Sequence, residues 1–568
     1  MSIIDWTVLA TTLFGIILYG VWKSRNLNTM EGYLLADRQM PWYHVGLSVM
    51  ATQASAITFL SAPGQGYTDG LRFVQFYFGL PLAMIVLCVT FIPIFQRLNV
   101  FTAYEYLEKR FDNKTRSLTA FLFLLQRGIS TGITIYAPSI VLSTILSIDI
   151  TYTTFIMGGL VILYTVYGGA KAVSYTQMIQ MGVIFTGLFM AAYMVVHLLP
   201  AHVGFSDALH IAGKMGKLNA INTEFKWDDR YNIWSGIIGG FFLQLSYFGT
   251  DQSQVGRYLT GKSIAQSRLG LVMNGLLKIP MQFLILLIGT LVFAFYQYHQ
   301  PPINFNKVAV EEIQNSPYRS SFDTLQHNYS INHSEKLIAV NELVMAEQKS
   351  DEKQLKLLQS KVNQLQSESD TIRSKGAQLM LKNNSKADVN DTNYVFLSFV
   401  MDFLPTGMVG LLIAIIFLAS MGSTASGLNS LASTTVVDFY QRFKKTEKSQ
   451  TSLVSTSRWI TVIWGTFCLF VALFAARLGN LIEVVNILGS LFYGTILGIF
   501  VVAFYCKRVG GKAVFRAAII AEMFVVVSWY LDLTAFLWLN LLGCALVVIL
   551  ALLFEFSLPK EQKEVNQN

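Results

Sequence analysis

Charge is scarce in this sequence: Asp, Glu, Lys and Arg together make up 13% of the 568 residues, while 53% are hydrophobic. With a mean hydropathy of +0.47, the chain is excluded from the ordinary soluble class. Cysteine and histidine are also few. The four cysteines, Cys88, Cys468, Cys506 and Cys544, sit in or at the end of apolar stretches without ligand-like spacing, which excludes a disulfide framework and a metal knuckle. The seven histidines are scattered. No nucleophile stands with a base and no glycine loop is built to cradle phosphate, so the chain reads as a non-enzyme with no cofactor. A net charge of +8 comes without interleaved aromatic and basic residues, which argues against nucleic acid as a partner. In a membrane chain such an excess marks cytoplasmic loops.

What the sequence has in quantity is long apolar runs. About 13 stretches reach the roughly 20 residues needed to cross a bilayer core about 30 Å thick, so the expected fold class is an all-α polytopic membrane protein. The first run has Asp5 ahead of it and Lys23 and Arg25 behind it, opposite to a cleaved signal. It predicts a retained helix with its N-terminus outside. The tail LPKEQKEVNQN is expected inside, and the lipid bilayer of the plasma membrane is the expected surrounding.

Two spans carry polar residues where a lipid-facing helix would be apolar. One, about Tyr43 to Tyr67, holds Gln53, Ser55, Thr58, Ser61, Pro63, Gly64 and Gly66; the other, about Tyr231 to Val255, holds Gln244, Ser246, Gly249, Thr250, Asp251 and Gln252. Such spans are expected to break, which is tolerated only where the freed backbone groups line a cavity or are buried in protein. They lie five spans apart, the spacing of an inverted five-helix repeat with broken helices at a midplane site. Asp251 suits capping of the second half-helix.

A third stretch, Gly410 to Asp438, is apolar but loaded with hydroxyls. Ala419, Ser423, Ser426, Ser430 and Ser433 share one helical stripe. Those hydroxyls either bond a neighbouring helix or the preceding turn, or supply neutral oxygen ligands to a small hard cation at mid-membrane depth. Asp438 reads as a solvated helix end, Asp402 as an external helix-start residue and Glu483 as an external mouth residue. From His299 to about Asn393 the chain turns polar, and from Glu335 to Lys382 it reads as helix with Leu355, Leu358, Val362, Leu365 and Ile372 in heptad register and Ser369 in one slot. An external helical hairpin or coiled coil is expected, with a protein partner as one candidate role.

The resulting plan is an extra helix and cytoplasmic loop (1–42), a first repeat with the start of the second (43–298), an external insertion (299–395), the rest of the second repeat (396–508) and two further helices with a tail (509–568).

The passages TAYEYLEKRFD, YGGAKAVSYTQMIQ, GTDQSQVGRYLTGKS, LGSLFYG and SGLNSLASTTVVDFY, in this order, resemble the sodium:solute symporter family, which includes sodium/glucose, proline, iodide and monocarboxylate carriers. The resemblance implies a leucine-transporter-like five-plus-five inverted repeat and sodium as coupling ion. Its sodium site falls on backbone oxygens of Ala51, Ala54 and Ala419 and the hydroxyl of Ser423, with Gly422 where most members carry a second hydroxyl. Gln177 replaces an Asp associated with a second cation or proton, leaving Gln177 and Ser426 as a candidate second site and one sodium per cycle as the expectation. For the solute, the resemblance implies Gln53, Thr58, Gln244, Tyr247 and Lys278, with Gln75 and Tyr77 facing the same region. Thr58 and Val485 cannot make the polyol contacts of sugar carriers, so a small anionic solute is favoured, with Lys278 as counter-charge or as a lysine that snorkels to the membrane edge. Alternating-access symport is the expected function; a solute sensor signalling through a partner is the alternative.

Overall fold

The computed structural model describes residues 1–23, 29–348, 352–385, 387–443, 449–475 and 478–557. Arg25, the basic residues Lys444 and Lys445, and the tail LPKEQKEVNQN lie outside them. Eleven helices among the described residues are long and apolar enough to cross a membrane. In chain order the elements are α1 (Ile3–Lys23), the pair α2 (Trp42–Gln53) and α3 (Ala56–Asp69), and α4 (residues 80–97). α5 (Asn113–Leu146) is followed by α6 (Ile150–Tyr167) and α7 (Gly169–His197), which meet at Gly169 with φ 56°. Then come the pair α8 (residues 235–250) and α9 (Gln252–Tyr258), and α10 (Ile264–Tyr298). The insertion is α11 (Lys307–Gln314), α12 (Arg319–Gln348) and α13 (Glu352–Asn383). The short α14 (Val395–Phe403) leads into α15 (Met408–Tyr440), α16 (Gln450–Phe474), α17 (Leu481–Tyr505), α18 (Gly511–Tyr530) and α19 (Phe536–Ser557).

The two interrupted pairs, α2/α3 and α8/α9, fall in the spans whose polar residues predict them. Each half is too short to count alone as a crossing. α15 is the central element: 89% of its membrane-length window is buried, against 22% for α1, which therefore lies at the periphery. α15 packs on both halves of the first broken helix and on α9. Glycine permits the closest approach elsewhere in the core. A Cβ on Gly289 would fall 1.9 Å from Pro63 O, so α10 and α3 meet backbone to backbone.

The N-terminus of α15 is capped from α1: Asp5 Oδ1 accepts from Gly407 N at 2.6 Å and Gly410 N at 3.2 Å. That corrects Asp402 as a helix-start residue. Asp402 lies near the end of α14, where it accepts from Ser398 Oγ at 3.0 Å and pairs with Lys307. Asp438 is corrected as well. It is 1% exposed, and Arg116 and Thr102 donate to its Oδ1 at 2.7 and 3.0 Å, because a carboxylate this deep in the bundle must be paired.

The insertion is a hairpin whose helix reading from Glu335 to Lys382 divides into two antiparallel helices, α12 and α13. Asn332 donates to Glu368 at 3.2 Å and Lys336 to Gln366 at 3.0 Å. Leu358, Val362 and Leu365 of the heptad bury against Ala339, Val340 and Leu343, while Ile372 packs in a second cluster with Ile303 and Phe322. Ser369 fills its slot by donating to Asn332.

Candidate ion and solute site

At the first break the helix loses two of its hydrogen bonds in a specific place. Ser55 N, which would close on Ala51 O in a continuous helix, donates to Gln53 O at 3.1 Å, and Thr58 N, which would close on Ala54 O, donates to Ser55 O at 2.9 Å. The carbonyls of Ala51 and Ala54 are thereby released from their helical donors at the negative end of α2's dipole. On α15, Ser423 Oγ donates to Ala419 O at 2.9 Å and Ser420 O at 3.2 Å, a preceding-turn role that brings the Ser423 and Ala419 oxygens together. The α2 and α15 surfaces are tied together by Thr52 Oγ1 and Ser426 Oγ, 3.1 Å apart. Ser430 and Ser433 donate to Gly427 O and Ser430 O, the preceding-turn role.

Gln177 of α7 sits at the centre of this seam. Its Oε1 accepts from Ser48 Oγ at 2.6 Å, and its Nε2 donates to Thr52 Oγ1, Gly422 O and Ser426 Oγ at 3.1 to 3.2 Å. The amide nitrogen thus meets the oxygens that a cation at Gln177 and Ser426 would use. Gly422 has a local cause too: a Cβ there would lie 2.7 Å from Gln180 Oε1 and 3.4 Å from Gln177 Cγ, so the glutamines of α7 occupy the space of a second hydroxyl residue.

At the break a cavity of about 90 Å³ is lined by Gln53, Thr58, Tyr77, Gln244, Tyr247 and Val485, and also by Arg127 and Tyr493. Its size is well below the roughly 300 Å³ at which drug-sized pockets begin. Three of its polar atoms are buried without a protein partner: Gln53 Oε1, Gln244 Nε2 and Arg127 Nε. Arg127 donates to Asp251 and, at 3.0 Å, to Tyr493 Oη, and its guanidinium lies over the Tyr247 ring, 5.6 Å from the centroid. Asp251 fulfils its capping role, accepting from Ser253 N at 2.8 Å, but its second oxygen is taken by this arginine.

Two expected solute residues fall elsewhere. Gln75 is fully buried and structural, donating to Tyr231 O at 2.9 Å and accepting from Asn222 N at 3.0 Å. Gln75 and Tyr77 lie in a 3₁₀ segment, where residues two apart point to different faces. Lys278 is also fully buried, so it does not snorkel; its Nζ has no hydrogen-bond partner and lies 6.0 Å from the ring centroid of Tyr77. Tyr77 therefore contacts both the cavity and Lys278, while Lys278 itself does not line the cavity. Arg127 and Tyr493 are absent from the expected set. The arginine's signal was present: an ionisable residue inside an apolar span is a functional candidate by default. Above the cavity, Glu483 pairs with Arg230 at 2.9 Å and accepts from Tyr231 Oη at 3.1 Å.

A model of the sodium:solute symporter family matches residues 33–318 and 378–521. The chain is 33% identical over 273 residues to human sodium-coupled monocarboxylate transporter 1, covering 48% of this chain and 44% of that protein. It is 26% identical over 509 residues to the sodium-dependent multivitamin transporter of Oryctolagus cuniculus, covering 88% and 66% respectively. Thus the chain spans less than two thirds of either of these relatives. With the sodium/sialic acid symporter SiaT of Proteus mirabilis the identity is 23% over 559 residues, covering 96% of this chain and 93% of that one. A solved substrate-bound, outward-open Na+-coupled sialic acid symporter superposes with a TM-score of 0.75 at 23% identity over 98% of both chains, which shows a shared fold.

Proposed function

This chain belongs to the sodium:solute symporter family, and from that premise we propose that it is a sodium-coupled symporter that imports a small anionic organic solute by alternating access. The observation that carries the reading is the first break, which faces two chemistries at once. It leaves the carbonyls of Ala51 and Ala54 without helical donors on a half-helix that Thr52 joins to α15 at Ser426, and its Gln53 and Thr58 border a small cavity that Arg127 also lines. Neutral oxygens at a helix's carbonyl end hold a monovalent cation loosely enough to release it each cycle. A guanidinium with a buried, unpartnered N–H suits a carboxylate.

In this reading Ala51, Ala54, Ala419 and Ser423 bind one sodium per cycle, and Gln177 supplies from the protein the positive hydrogen-bonding edge that a second cation would supply. Gln53, Thr58, Tyr77, Gln244, Tyr247 and Arg127 bind the solute, and Lys278 meets it only when Tyr77 moves. The first repeat with the start of the second spans 43–298 and the remainder 396–508, flanked by 1–42 and 509–568 and interrupted by the 299–395 insertion. The N-terminus lies outside the cell membrane and the C-terminus inside.

The test is uptake of radiolabelled short monocarboxylates into proteoliposomes under an inward sodium gradient, with choline replacement and a sugar panel as controls. Uptake of an acid that collapses without sodium is expected, and Ser423→Ala should raise the sodium concentration for half-maximal uptake about tenfold. Sodium-independent uptake, or no uptake of any acid, would refute the reading.

A further inference from the structure

Where the insertion hairpin meets the ends of α3 and α10, a second cavity of about 450 Å³ opens, remote from the first in sequence and in lining. Its volume lies in the range of small-molecule sites. Three basic side chains reach it: Lys217 from the loop before α8, Lys336 of α12 and Arg373 of α13. Arg373 is balanced, since it donates to Asp391 at 2.6 Å. The two lysines are not. Lys336 is 2% exposed and donates to the neutral Gln366 Oε1 at 3.0 Å, while Lys217 donates to Thr68 O and lies 4.8 Å from the ring centroid of Phe293. Among the described residues neither lysine has a carboxylate in ion-pair contact.

The one carboxylate in the lining besides the balanced pair is Asp370, which accepts from Gln366 Nε2 at 2.9 Å. Lys217 also feels Asp69 at the end of α3, which lies outside the lining and accepts from Gln65 Nε2; within the lining the two ammonium groups face Asp370 alone, and a buried ammonium with a single neutral partner leaves two N–H groups to satisfy. Burial pushes the Lys336 ammonium down to about 8, as expected of a charge without a counter-ion. In the same wall Gln297 Oε1 is a buried acceptor with no partner, its amide nitrogen being used on Phe293 O.

We propose that this cavity is a binding site for a small hydroxylated carboxylate, its anionic end on Lys336 and Lys217 and a hydroxyl donating to Gln297 Oε1. The site is built jointly by the insertion and by Tyr67 and Thr68 at the end of α3. A ligand there bridges the hairpin to the second half of the first broken helix, so it favours whichever arrangement of that half-helix the structure shows. The assignment is independent of which solute crosses the membrane.

The probe is gluconate, which is too large for the 90 Å³ central cavity as it stands. The full chain in detergent is titrated calorimetrically with choline gluconate in sodium-free buffer, against choline chloride and choline acetate. Saturable gluconate binding is expected, at least tenfold weaker in Lys336→Gln and in Lys217→Gln. In Gln297→Leu, gluconate should fall to the affinity of acetate. Sodium-dependent thermal stabilisation, unchanged in these variants, reports that the fold and the central site are intact. Absence of gluconate binding to the unmodified chain overturns the proposal. So do equal affinity in the lysine variants, or binding that needs sodium and is lost in Ser423→Ala, which would place the ligand in the central site.

Discussion

Replacing Arg127 by Gln separates the structural from the binding role of the buried arginine. In the native arrangement Asp251 has Arg127 as its counter-charge, and Ser253 N, Ser253 Oγ and Tyr493 Oη as donors at 2.6 to 2.8 Å. Removing one partner of a buried ion pair costs about 3–5 kcal/mol because the other charge is left uncompensated. Three remaining donors put Arg127→Gln at the low end, about 3 kcal/mol. Adding Asp251→Asn removes the stranded charge and keeps an oxygen to cap Ser253 N, so the double variant should recover most of that loss. It should not recover an acid's affinity, since the guanidinium is gone from the cavity. Unfolding in detergent supplies the stability and solute-induced stabilisation supplies the binding. A single variant within about 1 kcal/mol of the native chain would show that the pair is not a coupled buried unit, by the same estimate. Full acid binding by the double variant would show that Arg127 is not the anion's partner.

Other substitutions read other parts of the molecule. Gly422→Ser puts a Cβ 2.7 Å from Gln180 Oε1, the far end of a flexible side chain, so overpacking should cost about 1 kcal/mol, the low end of its range. Gly422→Ser with Gln180→Ala should regain stability in detergent unfolding and bind sodium more tightly than the native chain. Gln177→Asp should add a cation or a proton to each transport cycle, read as a changed sodium-to-solute stoichiometry or a new pH dependence of uptake. Lys336→Met removes a buried ammonium that in the ligand-free protein has only Gln366 as partner, and should raise stability. Because Lys336 falls to about 8 from an ordinary 10.5, with Asp370 opposing the shift and Arg373 adding to it, the unfolded chain binds more protons between those values. Lys336 should therefore contribute a gain in stability as pH rises from about 8 towards 10.5, a contribution that Lys336→Met removes, while Lys217, also shifted down by burial, adds in the same direction in both proteins.

The parts of this molecule legible in its sequence are those with a local cause. Polar residues inside two apolar spans mark the breaks because a lipid-facing helix cannot afford them, and the structure breaks at Ala54 and Asp251 within those spans, while Pro63, Gly64 and Gly66 lie inside the continuous α3. The heptad of α13 marks the hairpin. What has no local signal is pairing across the chain. Nothing near Arg127 or Asp251 says that 124 residues apart they will share a bond, and nothing near Asp438 names Arg116.

The two breaks look alike in sequence yet end differently, and the difference lies in who answers the freed backbone. At the second break the neighbours close every open group named here: Tyr104 Oη donates to Thr250 O at 2.8 Å, Asp251 takes Ser253 N, and the Gln252 side chain bridges Phe101 O and Ala103 N. At the first, Ser55 N and Thr58 N turn to nearer carbonyls and leave Ala51 O and Ala54 O without their helical donors. An interruption satisfied by its own protein is a hinge or an anchor; one whose carbonyls are left over is, in the proposed reading, where the cation binds. Similar mixes of Gln, Ser and Thr thus yield one break closed by Tyr104 and Asp251 and one that leaves two carbonyls without helical donors, and the groups that tell them apart include one, Tyr104, far away in sequence.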